Sequence, residues 1–242
     1  MGFLQIYKFI GHYKGGSYLC RMIGHYLKKY RIFIVSMVVF SVVAITLFYR
    51  VLDRKTLPVY TSAMVNPELV DSTMQEIRTP HFVADFSFVN QNGQTVTQKD
   101  YEDKIYVADF FFTTCQSICP KMTKNMARVQ EALSEMPDVK LLSHTVFPET
   151  DSVPVLKKYA IENGVDDSRW NLVTGDKRKI YEMARKSYLV VKLGRPEELY
   201  DMVHTENFVL VDKKRRVRGF YDGTDPDEID RLIRDIEWLA EN

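Results

Sequence analysis

Two cysteines set the chemistry this chain can carry. Cys115 and Cys119 stand four residues apart in Phe112-Thr-Thr-Cys115-Gln-Ser-Ile-Cys119-Pro120. An apolar run ends just before them and a proline follows directly. Proline at a first helical position pre-sets the turn, which places Cys119 at the start of a helix. Unpaired N–H groups and the positive dipole end at such a start favour thiolate over thiol. One helical turn puts both sulfurs on one side of the chain. Two soft thiolates so placed can bind Cu(I), and they can equally close to a disulfide. A disulfide of so small a loop adds little stability, and a structural zinc site needs four ligands where no second cysteine pair exists.

A metal site would draw a third ligand from the five histidines. His12 and His25 fall with Cys20 ahead of a long apolar segment. His144 lies within an expected buried strand and reads as a core residue. His81 starts the folded body without a positional argument. His204 precedes the strand NFVLV, so it can reach a site at the end of the sheet.

The elements that position these residues alternate. Phe82–Val89 and Gln94–Thr97 flank Asn92-Gly93, the pair suited to a type I′ hairpin turn. Ile105–Phe112 is a near-continuous apolar run, as a strand buried on both faces requires. Lys121–Met136 places Met122, Met126, Val129, Leu133 and Met136 on one helical face. A strand over Lys140–Val146, a helix over Pro154–Asn163, a short strand at Asn171–Thr174 and a helix over Lys177–Ser187 follow. Asn207–Val211 and Arg216–Tyr221 form a hairpin across the basic turn 213–216, which reads as solvated or as a docking patch for an acidic partner. Asp225 caps a last helix, with Pro226 at its first position and Glu228 placed for a capping box. The pattern predicts an α/β fold: a central mixed sheet with helices on both faces and an N-terminal β-hairpin.

Ahead of this body, residues 32–49 contain eighteen residues without a charge, long enough for a transmembrane signal anchor. Residues 1–31 hold six basic side chains and no acidic one. By the positive-inside tendency the N-terminal segment is cytoplasmic and the body faces the opposite, extracytoplasmic side. Residues 50–78 read as a tether or a loosely packed lead-in, and 79–242 as the folded domain. Beyond residue 31 the chain carries 27 basic against 32 acidic residues, a balance of −5. Such a surface does not attract polyanions, which argues against a nucleic-acid partner.

The motifs FFFTTCQSICPKM, SHTVFPETDSV, WNLVTGD and MVHTENFVLVD together resemble the Sco/SenC family of copper proteins, from about Phe82 to the end. The resemblance implies a thioredoxin-like domain on a membrane anchor. It implies Cys115, Cys119 and His204 as ligands of copper, Cu(I) or Cu(II), with the histidine 85 residues after the second cysteine. It implies a metallochaperone that assists assembly of the copper site of cytochrome c oxidase. Its partners would be the oxidase copper subunit and an upstream copper donor, at the inner (cytoplasmic) membrane and facing the periplasm or extracytoplasmic space. The alternative is a thiol-disulfide oxidoreductase in which Cys115 and Cys119 are the catalytic redox pair that reduces that subunit's cysteines. A peroxiredoxin reading fails on Phe112, which offers no hydroxyl three residues before Cys115. Two positions depart from the family pattern: Phe147 and Val203 stand where aspartate is common.

Overall fold

The computed structural model describes residues 29–52, 56–67, 76–190 and 205–242. The chain divides into two units, Met1–Thr56 and Leu57–Asn242. Within the first, helix α1 (Arg31–Leu52) runs for 22 residues. At about 1.5 Å per residue this is roughly 33 Å, the thickness of a bilayer core. Its apolar stretch Arg31–Phe48 is exposed among the described residues. A soluble core helix buries such a stretch, so the exposed apolar surface is what a membrane span presents.

The second unit is built on a seven-stranded sheet. In chain order the strands are β1 (Ser87–Asn90), β2 (Thr95–Thr97), β3 (Ile105–Phe111), β4 (Val139–Thr145), β5 (Trp170–Thr174), β6 (Asn207–Val211) and β7 (Val217–Asp222), and across the sheet they run β2-β1-β5-β4-β3-β6-β7. β3 lies parallel to β4, pairing Ile105 with Val139 through Phe111 with Thr145, and antiparallel to β6. All seven residues of β3 are buried, so its apolar run reflects a central position. Helices α2 (Cys119–Ala132), α3 (Val153–Glu162) and α5 (Pro226–Glu241) cover one face, and α4 (Lys177–Glu182) packs on the other. Met122, Met126 and Val129 of α2 and Ile229, Leu232 and Ile236 of α5 fill the first layer. Each contributes about 1.5–3 kcal/mol by leaving water. The mixed, two-sided α/β sheet is the predicted one.

Local details differ from the sequence reading. At the first hairpin only Gly93 has positive φ (74°), whereas a type I′ turn needs it at both central residues. The Asn90 carboxamide instead accepts from the N–H groups of Asn92 and Gln94, both at 3.0 Å. The helix expected to reach Ser187 changes at Met183 to a π-turn, Met183–Ser187. Asp225 caps α5 through the N–H of Asp227. Glu228 forms no capping box; its carboxylate pairs with Arg231 and takes a backbone hydrogen bond from Asp222.

Part of the stretch read as a tether packs on the sheet, since the compact unit begins at Leu57. Arg218 donates to the carbonyls of Leu57 (2.7 Å) and Pro58 (2.9 Å) and to Asp212 (2.9 Å). Tyr60 N–H donates to Val217 O at 2.9 Å, and the Tyr60 ring meets Phe220 edge-on at 5.1 Å. The lack of a sustained apolar period hides such a segment, which main-chain bonds and the packing of Leu57, Tyr60 and Val65 hold in place.

Candidate metal centre

β3 delivers its carboxyl end, and with it both thiols, to one rim of the sheet. Beyond Phe111 the chain leaves the ladder and is caught at Thr113. The backbone N–H of Thr113 donates to Asp151 Oδ2 at 3.1 Å and its hydroxyl to Oδ1 at 2.5 Å. The hydroxyl of Thr145, at the end of β4, also donates to Asp151, and itself accepts from Phe147 N–H at 3.0 Å. Asp151 is fully buried. One carboxylate therefore ties the ends of two adjacent strands and fixes where the cysteine loop begins.

Cys115 N–H donates to Phe112 O at 3.3 Å, which turns the loop back on the strand. Ile118 caps α2 without a side-chain bond, and its carbonyl accepts from Lys121 and Met122 at 3.0 Å. Cys119 thus occupies the first turn with Pro120 behind it. It is 3% exposed, packed with Met122 and Phe111, whereas Cys115 is half-buried. Both are free thiols.

The two sulfurs differ electrostatically. Burial works against the Cys115 thiolate, but the backbone N–H groups of Cys119 and Ser117 and the side chains of both outweigh it, bringing its pKa down to about 7. Burial pushes Cys119 up to about 12, reinforced by its bond to Cys115 and the nearby Asp109. The sequence reading placed the favoured thiolate on Cys119. The free N–H groups of the helix start instead serve the sulfur four residues upstream, and Cys119 itself is sunk in the apolar layer.

Asp109 was missed from the sequence. It sits mid-β3, 2% exposed, and accepts from Ser143 Oγ at 2.5 Å, which in turn accepts from Trp170 Nε1 at 2.9 Å. Burial raises its carboxyl to about 7, partly offset by the Ser143 bond. The available signal was a single acid within an otherwise apolar strand.

Of the candidate ligands, Cys115 and Cys119 are brought together and hydrogen-bond through their side chains. His204 lies outside the described residues, and among those described no third His, Cys, Asp or Glu joins the two thiols. His144 is fully buried in the opposite layer, stacked on Phe110 at 4.9 Å and facing Phe88 at 5.5 Å. Burial lowers it to about 3, so it is a neutral core residue. His81 Nε2 bonds to Ser187 O at 2.9 Å and Nδ1 to Ser62 Oγ at 3.4 Å, a structural pin. A vicinal thiol pair, one member ionising near neutrality, suits a soft monovalent metal.

Comparison with known proteins bears on the family and the fold. The SCO1/SenC family profile matches residues 74–241. The "SCO1 protein homolog" of Bacillus subtilis (strain 168) is 34% identical over 167 residues, 67% of this chain and 86% of the relative. The solved structure of BsSco, described as having a disulfide switch and as a member of the Sco family of cytochrome c oxidase assembly proteins, superposes with a TM-score of 0.58 at 32% identity. It covers 66% of this chain and 94% of that one. Arabidopsis thaliana ScoI, solved with copper bound, shares the fold at 24% identity and a TM-score of 0.52, over 65% and 99% of the two chains. With more than half of its length matched by one family, the chain belongs to the SCO1/SenC family.

Proposed function

We propose that this protein is a membrane-anchored copper metallochaperone that assists assembly of the copper site of cytochrome c oxidase. The observation that carries this reading is the pair of free, mutually hydrogen-bonded thiols at the end of β3 in a chain of this family. Copper is cargo. Cys115 and Cys119 supply two thiolates and His204 a neutral imidazole, a set that holds Cu(I) and accepts Cu(II) with added oxygen ligands. Helix α1 anchors the protein in the inner (cytoplasmic) membrane. The six basic residues before it keep the N-terminus cytoplasmic and the folded unit on the periplasmic or extracytoplasmic side. The partners are the copper-site subunit and an upstream copper donor.

Anaerobic copper titration of the full chain in detergent tests the ligand set, comparing wild type with His204→Ala and with Cys115→Ser/Cys119→Ser. Loss of affinity and a changed spectrum are expected for both variants. Full affinity and an unchanged spectrum for His204→Ala would remove the histidine from the site.

The unequal exposure of the two cysteines supports a second reading, thiol-disulfide reduction of the oxidase subunit. The accessible Cys115 thiolate attacks a partner disulfide, forming a mixed disulfide and releasing one partner thiol. The buried Cys119 then attacks Cys115, closing the intramolecular disulfide and releasing the second thiol, so that two electrons pass to the partner. This activity survives His204→Ala, whereas copper delivery does not.

A further inference from the structure

Beside β7 the segments 57–65 and 77–83 form a ribbon along the edge of the sheet. Tyr60 N–H donates to Val217 O at 2.9 Å, His81 N–H to Tyr60 O at 3.0 Å, Ala63 N–H to Ile77 O at 3.2 Å and Val83 N–H to Arg215 O at 2.9 Å. The ribbon has an inner and an outer face. His81 is pinned inward by Ser187 and Ser62, and Val83 is buried. Phe82 stands between these two, so strand alternation turns it outward, and it is 54% exposed. On the same ribbon Met64 is 55% and Ile77 41% exposed. Among the described residues of the folded unit, the other exposed large apolar side chains are Val155 and Ile161, both on α3.

Apolar side chains scattered over a surface need no explanation, but the place of these three gives them one. Four residues, 53–56, join the end of α1 at Leu52 to Leu57, where the folded unit begins. A connection of that length reaches at most about 18 Å in any conformation. A folded unit running from 57 to 242 is on the order of 40 Å across. The connection is therefore too short for the unit to turn its far side toward the surface from which the chain emerges. The side that faces that surface is the one carrying Leu57, whose carbonyl Arg218 holds at 2.7 Å. Continuing the bridge between Thr61 and Pro80 places Phe82 across from Val59, two residues from Leu57. The charges nearby balance: Arg78 is exposed with Glu76, and Arg215 pairs with Asp85 at 2.8 Å.

We infer that Phe82, Ile77 and Met64 seat the folded unit on the lipid bilayer, their side chains entering its headgroup region. Apolar residues of an interfacial segment lie at that depth, and the local charge balance makes the contact apolar rather than selective for a charged headgroup. The inference rests on α1 being the membrane anchor and uses none of the metal-site residues. Across the sheet β3 stands two strands from β7, about 10 Å at the usual spacing. A seated ribbon thus holds the cysteine strand at a short, fixed height above the membrane, where a membrane-embedded partner presents its own site.

The test is quenching of tryptophan emission by phosphatidylcholine brominated on its acyl chains, with the full chain in nanodiscs of that lipid. The variants Phe82→Trp, Ile161→Trp and Phe40→Trp are read against the wild type, which supplies the signal of Trp170 and Trp238. All three positions are exposed, so the substitutions leave the core intact, and Met64→Trp serves if Phe82→Trp does not fold. Brominated lipid is expected to remove about half of the added emission in Phe82→Trp, as at the headgroup boundary, nearly all of it in Phe40→Trp, within α1, and none in Ile161→Trp. Quenching in Phe40→Trp with none in Phe82→Trp would overturn the seating and leave the anchor standing. No quenching in Phe40→Trp would overturn both. Equal loss in Phe82→Trp and Ile161→Trp would also overturn the seating, since the folded unit then prefers no face.

Discussion

The backbone N–H of Cys119 donates to the sulfur of Cys115, so the first turn of α2 stabilises a thiolate that lies outside the helix. The effect of a helix start on an anion is local and directional. Here direction decides which cysteine reacts.

Alkylation of the full chain by iodoacetamide should therefore modify Cys115 first, with a rate that rises through about pH 7. Cys119, held near 12 and 3% exposed, should react only on unfolding. Because the folded pKa of Cys115 lies below its ordinary value of 9.0, its stabilising contribution is complete above pH 9 and is lost as the pH falls through about 7. Ser117→Ala should move the alkylation midpoint upward. An unchanged midpoint would mean that Ser117 contributes nothing to the thiolate.

Asp151→Ala removes the acceptor shared by Thr113 and Thr145. The loss of three hydrogen bonds, with buried donors left behind, should cost about 2–4 kcal/mol in urea unfolding. The same variant should expose Cys119 to alkylation in the native state, since its loop loses the anchor at Thr113. Destabilisation without faster Cys119 labelling would confine Asp151 to a purely architectural part.

Asp109 works in the opposite sense to the usual acid. Its folded pKa of about 7 lies above its ordinary value of 3.8, so the folded state binds the proton more tightly. Stability from this group is greatest below pH 4 and declines as the pH rises toward 7. Asp109→Asn should flatten the stability profile over that interval and gain up to about 4 kcal/mol relative to wild type above pH 7. Thermal unfolding of both proteins at pH 4, 5.5 and 7.5 reads this directly.

Arg218→Ala should release the lead-in at Leu57 and Pro58 and leave Asp212 with one fewer partner. Asp212 keeps its pair with Arg216 at 2.7 Å, so the lost Arg218 bonds cost about 1.5–3 kcal/mol. Limited proteolysis should then cut within residues 57–65 at a rate at least tenfold above wild type. Equal rates would show that Tyr60 and its bond to Val217 hold the segment alone.

What the sequence made legible follows from what periodicity can encode. The seven-residue burial of β3, the apolar faces of α2 and α5, and the cysteine pair between strand and helix all declare themselves by spacing. The order of the two thiol pKa values does not, because it depends on where the N–H groups of the loop point. Asp109 was concealed by its neighbours, since one acid scarcely changes the apolar character of a strand. The seating of Leu57–Val65 was concealed for the reverse reason: many of its contacts are main-chain bonds, which every residue can make, and its apolar residues follow no period. Asp151 was visible only as one residue of the motif SHTVFPETDSV, and its bond to Thr113 required the fold.

His144 has a consequence of its own. Enclosed by Phe86, Phe88, Phe110 and Tyr188, it sits uncharged down to about pH 3. An imidazole in the middle of the sheet is thus electrically silent across every pH a living compartment reaches. Mild acidification leaves this layer untouched, and any proton-linked behaviour of the protein between pH 5 and 8 must originate in other side chains.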